Sequence, residues 1–102
     1  MSAVTPVDIG TLIEAREGVQ GGQPCIAGTR IRVETIAIRY LEGKTPDELL
    51  RDWPYLDLSH IHAALAYYFA NRERIDADIE EELMLEEELA ARYPRGLTRE
   101  TR

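Results

Sequence analysis

Thr45-Pro46-Asp47-Glu48-Leu49-Leu50-Arg51-Asp52-Trp53-Pro54-Tyr55-Leu56-Asp57 contains a helix start, a helix stop and a second helix start within thirteen residues. Thr45 can cap a helix, Pro46 suits the first helical position, and Glu48 lies three after the cap, where it completes a capping box. Leu49, Leu50 and Trp53 share a face of that helix. Pro54 ends it, because the residue before a proline is pushed out of helical geometry. Asp57 can cap the next helix, in which Ile61, Leu65, Tyr68 and Phe69 fall at i, i+4, i+7 and i+8 as a core stripe. Only Pro54-Tyr55-Leu56 separates the two helices, and a short turn there is what a helix-turn-helix unit requires. Many three-helix domains share this spacing without any nucleic-acid role.

Upstream, Val33, Ile36, Ala37, Tyr40 and Leu41 form one apolar helical stripe, and Gly43 ends the helix. Before Val33 the period changes. Leu12-Ile13-Glu14-Ala15-Arg16 suits a short strand, Glu17 to Gln23 is a glycine-bearing loop, and Cys25 to Ile31 gives two short extended pieces around a turn at Gly28. Gly21-Gly22-Gln23-Pro24 lacks both a Gly-Lys-Ser/Thr ending and dinucleotide spacing, which excludes a phosphate-cradling loop.

Downstream, a fourth helix is expected from Ile75 to Arg92. Ile79 and Leu83 are four apart, as are Leu85 and Leu89, set among Glu80 to Glu82 and Glu86 to Glu88. So charged a helix is marginal alone, and its apolar side needs a partner protein, the domain's own core or a dimer mate. Ala63, Ala66 and Ala70 give the third helix a small-residue side for close approach by a helix or a partner chain. Beyond Tyr93-Pro94, Arg95, Arg99 and Arg102 punctuate a polar tail. The fold class is therefore mainly α: a small N-terminal β-sheet, a three-helix helix-turn-helix bundle, and a C-terminal acidic helix. The expected division is 1–74 for the body and 75–102 for the helix and tail.

One hundred and two residues suffice for one modest core. The net charge of −7 is uneven: residues 1–74 hold eight Lys or Arg against ten Asp or Glu, and the remainder four against nine. Overall acidity opposes unaided, non-specific nucleic-acid binding, so any DNA contact needs a local patch. No apolar run approaches a membrane span and Met1 to Gly10 does not resemble a secretory signal, so a cytoplasmic location is expected. Cys25 is the sole cysteine, which rules out an internal disulfide and leaves it as a small buried apolar residue. No convergent set of titratable groups marks a catalytic centre, and neither a metal nor a cofactor is expected. His60 and His62, two apart on a helix, diverge too far to share one metal.

In a helix-turn-helix protein the outward face of the third helix enters the major groove. Here it offers Ser59, His60, His62, Ala63 and Tyr67, with no Arg or Lys before Arg72, although Arg or Lys to guanine is the commonest specific base contact. Arg30, Arg32, Arg39, Lys44 and Arg51 are candidates for phosphate positioning, with Ser59, His60 and His62 for limited base contact. The same basic residues also read as a solvated face.

Gly21-Gly22-Gln23-Pro24-Cys25-Ile26-Ala27-Gly28-Thr29-Arg30-Ile31-Arg32-Val33 resembles the hallmark segment of the family labelled domain of unknown function 433 (DUF433). Glu42-Gly43, Thr45 to Leu50, Trp53 to Leu56 and Ile61 to Tyr68 follow in that family's order and spacing, so the resemblance covers roughly Leu12 to Glu82. It implies a winged-helix-like or homeodomain-like helix-turn-helix and pairing with a PIN-like nuclease toxin, some relatives resembling VapB-type antitoxins. On that analogy the body forms a homodimer, through strands of its N-terminal segment, and binds operator DNA, while the C-terminal helix and tail hold the toxin. A PIN-type site clusters carboxylates around a divalent cation, and arginine pairs with carboxylates in bidentate fashion. Arg95, Arg99 or Arg102 would then enter that site while Ile79, Leu83, Leu85 and Leu89 anchor the helix. The alternatives are a stand-alone DNA-binding regulator and an interaction module without a toxin. Two positions depart from the family: Glu34 stands where relatives commonly carry a capping Ser or Thr, and the third helix lacks a basic residue in its leading turn.

Overall fold

The apolar spacing after Val33 produces the expected series of helices. A computed structural model describes residues 6–92 and divides the chain between Asn71 and Arg72. In the first unit a single turn of 3-10 helix, Ile9–Leu12, leads into β1 (Ile13–Glu14), and a second, Gln20–Gly22, precedes β2 (Cys25–Ile26). Helices α1 (Val33–Leu41), α2 (Pro46–Asp52) and α3 (Leu58–Ala70) follow. The second unit contains α4 (Arg72–Arg92).

β1 and β2 pair antiparallel, Ile13 opposite Ile26 and Glu14 opposite Cys25. The strand expected over Leu12 to Arg16 is thus only two residues long. Asp8 caps the preceding turn by accepting from the Gly10 N–H at 2.9 Å, and this draws Leu12 into 3-10 geometry. The loop expected over Glu17 to Gln23 likewise contains a 3-10 turn, with Gly21 at a φ of 67°. The turn at Gly28 forms as expected, at a φ of 76° that glycine adopts without strain. Thr29 ties it together: its hydroxyl donates to the Ile26 carbonyl at 2.8 Å and accepts from the Ile31 N–H at 3.0 Å. The Ile26 N–H donates to the Ile31 carbonyl and the Val33 N–H to the Pro24 carbonyl, both at 2.9 Å. The hairpin thereby delivers the chain directly into α1.

Val33, Ile36 and Ala37 of α1, Leu49 of α2, Ile61, Ala64, Leu65 and Tyr68 of α3, and Cys25 and Ile26 of β2 are buried together with Leu56. α3 packs on α1, on α2 and on the sheet, which makes it the central element of the body. Each of its fully buried large side chains contributes about 1.5–3 kcal/mol relative to exposure. Two members of the expected stripes lie outside this core: Leu41 is 50 % and Phe69 46 % exposed. Both stand in the last turn of their helix, beyond the packed region. Phe69 instead meets Tyr40 edge to face, with centroids 5.7 Å apart.

Both bonds of the α2 capping box form, Thr45 N–H to Glu48 Oε1 at 2.8 Å and Glu48 N–H to Thr45 Oγ1 at 3.2 Å. The backbone bond holds the Glu48 carboxyl below its ordinary pKa, aided by the Thr45 hydroxyl and the nearby Arg51 and Lys44. Between α2 and α3 the Leu56 N–H donates to the Trp53 carbonyl at 3.0 Å, and the Leu56 side chain is buried beneath the turn. α4 starts at Arg72, three residues ahead of the expected Ile75. Neither Gly nor Pro intervenes after Asn71, and Arg72 pairs with Asp76 one turn on at 3.6 Å. No described helix is long and apolar enough to cross a membrane.

Candidate binding surfaces

Three places on the body carry the residues expected to meet DNA. At the hairpin, Glu14 Oε2 accepts from the Gly28 N–H at 2.9 Å and pairs with Arg16 Nε at 3.0 Å. Burial pushes the Cys25 thiol above its ordinary pKa, while the positive charges of Arg32, Arg16 and Arg30 act in the opposite direction. Arg30 and Arg32 therefore share one neighbourhood with Arg16, a residue the sequence reading did not single out. Arg32 also meets the buried Glu34 at 3.7 Å. Because α1 begins at Val33 with Arg32 as its cap residue, Glu34 occupies the first turn rather than the cap, where its charge complements the helix dipole.

At the junction of α1 and α2, Arg39 and Lys44 converge on Asp52, at 3.3 and 3.5 Å. The Arg39 guanidinium lies 5.8 Å from the centroid of the Trp53 ring. Lys44, expected as a phosphate contact, thus helps fasten two helices. Such partly exposed pairs are worth only about 0–1 kcal/mol, so they exchange readily. Arg51 is exposed on α2.

Ser59 and His62 are exposed on the first turns of α3. His60 is half-buried and has a local task, its Nδ1 accepting from the Asp57 N–H at 3.0 Å. Its Nδ1 is thereby engaged with the backbone rather than available for an outward contact. The signal for this role was present in sequence: a side chain three after an Asp cap stands where Glu or Gln closes a capping box. The structure thus places Arg30 and Arg32 at the hairpin, brings Lys44 and Arg39 together on Asp52, leaves Arg51 exposed on α2, and carries Ser59, His60 and His62 on α3.

In the second unit Ile79 is half-buried, while Leu83, Met84, Leu85 and Leu89 are 44 to 62 % exposed. The sequence called for a partner protein, the domain's own core or a dimer mate to cover the apolar side; within the chain Ile75 is buried and these leucines are uncovered. At about 100° per residue, Ile79 and Leu83 form one ridge, Leu85 and Leu89 another, and Asp78, Glu82 and Glu86 the ridge between them. Nine acidic residues against three basic ones give α4 its charge. A shallow open depression runs along it, lined among the described residues by Met84, Leu85 and four glutamates. Arg95, Arg99 and Arg102 lie outside the described residues. Among the described residues no three His, Cys, Asp or Glu gather to hold a metal ion.

Fold and surfaces together define a small, mainly helical protein with a two-stranded N-terminal sheet. The chain belongs to the DUF433 family, whose model, described as a protein of unknown function, matches residues 13–68. A DUF433 member protein from Anabaena variabilis, known from a crystal structure, is 38 % identical, with 69 % of each chain covered and a TM-score of 0.64. An uncharacterized protein of Sinorhizobium fredii, y4eO, is 31 % identical over 74 residues, which are 69 % of this chain. The chain spans 34 % of the length of that relative. The matched segment runs from the first residue of β1 to the buried Tyr68, short of the Glu82 expected from sequence, and α4 lies beyond it.

Proposed function

We propose that this chain acts by binding other macromolecules, as the antitoxin-like component of a type II toxin–antitoxin pair. Its C-terminal helix, with Arg95, Arg99 and Arg102 beyond it, holds and neutralises a PIN-like nuclease. The body, read as a winged-helix-like or homeodomain-like helix-turn-helix, forms a dimer and represses its own operator. The observation that carries this reading is α4 itself, a long helix outside the family-matched segment with Leu83, Met84, Leu85 and Leu89 exposed. Amphipathic helices of this kind bind by laying an apolar side into a partner's groove.

A second reading, a DNA-binding regulator without a toxin, is favoured by the short turn ahead of α3 and the exposed Ser59 and His62 on its first turns. Affinity capture with the full chain and with a chain ended after Arg74, followed by mass identification of what is retained, separates the two. A nuclease held only by the full chain supports the antitoxin reading. Retention of none by either form rejects it, and specific binding to DNA upstream of the chain's own coding region would then favour the regulator.

A further inference from the structure

We infer that the stretch 93–102 folds back along α4 and covers Met84 and Leu85, with Arg95 meeting Glu88 and Arg99 meeting Glu81. The contact lies within the second unit and stands whether or not the partner is a nuclease. Glu81, Met84, Leu85 and Glu88 fall at i, i+3, i+4 and i+7, so one side of the helix sets an apolar pair between two carboxylates. All four line the depression along α4. Met84 is 62 % and Leu85 54 % exposed. What fits such a face is a segment that sets an apolar residue between two cations.

Residues 93–102 lie outside the described residues, and their sequence carries that pattern in Tyr93-Pro94-Arg95-Gly96-Leu97-Thr98-Arg99. In an extended chain alternate side chains share a side, so Arg95, Leu97 and Arg99 line up over about 13 Å. Along α4 the step from Glu88 to Glu81 covers about 10.5 Å at about 1.5 Å per residue. The long arginine side chains absorb the difference. Pro94 turns Tyr93 away from helical geometry, and a reversal there lays Arg95 beside Glu88, Leu97 over Met84 and Leu85, and Arg99 beside Glu81. Arg92 already meets Glu88 at 3.5 Å, but both side chains of that pair are exposed and it exchanges readily. Charge selects this occupant over a second α4: residues 93–102 hold three Arg against one Glu, whereas α4 holds nine acidic residues against three basic ones.

A nitroxide attached through Thr98→Cys, on the opposite side of the extended segment from Leu97 and Arg99, reads the contact in the free full chain. Cys25 is buried and stays unlabelled, which mass measurement checks. At about 0.01 M salt the label should broaden the Glu81 amide, and at about 1 M, where the screening length is about 3 Å, most of that broadening should go. Arg99→Glu should reduce it about fivefold at low salt, as an exposed ion pair is lost and replaced by repulsion. Exchanging the charges, Glu81→Arg with Arg99→Glu, should restore it, with helix content of each variant compared by circular dichroism. Broadening at Glu81 that ignores salt and Arg99→Glu overturns the inference, as does failure of the exchanged pair to restore it. Broadening of an isotope-labelled chain by a spin-labelled second copy assigns the face to that copy and overturns it as well. Capture of no nuclease overturns the antitoxin reading and leaves this inference standing.

Discussion

Cys25 and Glu48 each have a chemical state set by their immediate neighbours. Burial raises the Cys25 thiol, so it stays protonated and covered near neutrality. Alkylation of the native protein at pH 7.5 should be slow and limited by opening, rising to the rate of a free thiol in denaturant. Equal rates in both conditions would show the site to be open. For Glu48 the folded pKa is depressed, so its contribution is present above the unfolded value and lost as pH falls through the folded one. Glu48→Gln, which still accepts from the Thr45 N–H but is never charged, should remove that part of the acid dependence by lowering stability near neutrality while leaving stability at pH 3 little changed. Comparing urea midpoints between pH 3 and 7 decides it. Cys25 as a small buried residue and the Thr45–Glu48 box were legible in sequence because each is decided locally. The cap role of His60 was missed because histidine at that position also reads as an outward contact.

Helix boundaries follow the same logic one level up. Thr45→Ala should destabilise the body by about 1 kcal/mol through loss of a cap, and Ile61→Ala by about 2–5 kcal/mol through an unfilled space at the centre of α3. Urea unfolding monitored by Trp53 fluorescence measures both, and an Ile61→Ala loss below that of Thr45→Ala would contradict the central place of α3. α1, α2 and α3 were readable because capping signals and the 3.6-residue period agreed. The sheet was less so, since two-residue strands carry no period and the side-chain bridges of Thr29 and Glu14 reach across turns. Exposure at the helix ends was equally illegible. Leu41 and Phe69 continue a stripe into the last turn of their helix, where exposure rises although Phe69 still meets Tyr40, and periodicity does not report burial.

Over the whole molecule, the buried side chains concentrate in the unit up to Asn71, and α4 is mostly exposed from Glu80 to Arg92. Amide hydrogen exchange should therefore be slowest from Ile61 to Tyr68 and in the Ile36 turn, and orders of magnitude faster from Glu80 to Arg92. Uniform protection along the chain would mean that α4 is held as firmly as the body. Sequence could not foretell the exposure of the leucines, because an amphipathic pattern states that a face needs covering and not what covers it. The contacts of the hairpin with β1 and of α3 with α1 and α2 all close among residues that precede Arg72. Synthesis from the N-terminus therefore makes every strand and helix of the body before it makes α4. Those contacts need no residue of the acidic helix. Among the described elements the acidic helix is then the last to be made, and Leu83, Leu85 and Leu89 on it are exposed among the described residues.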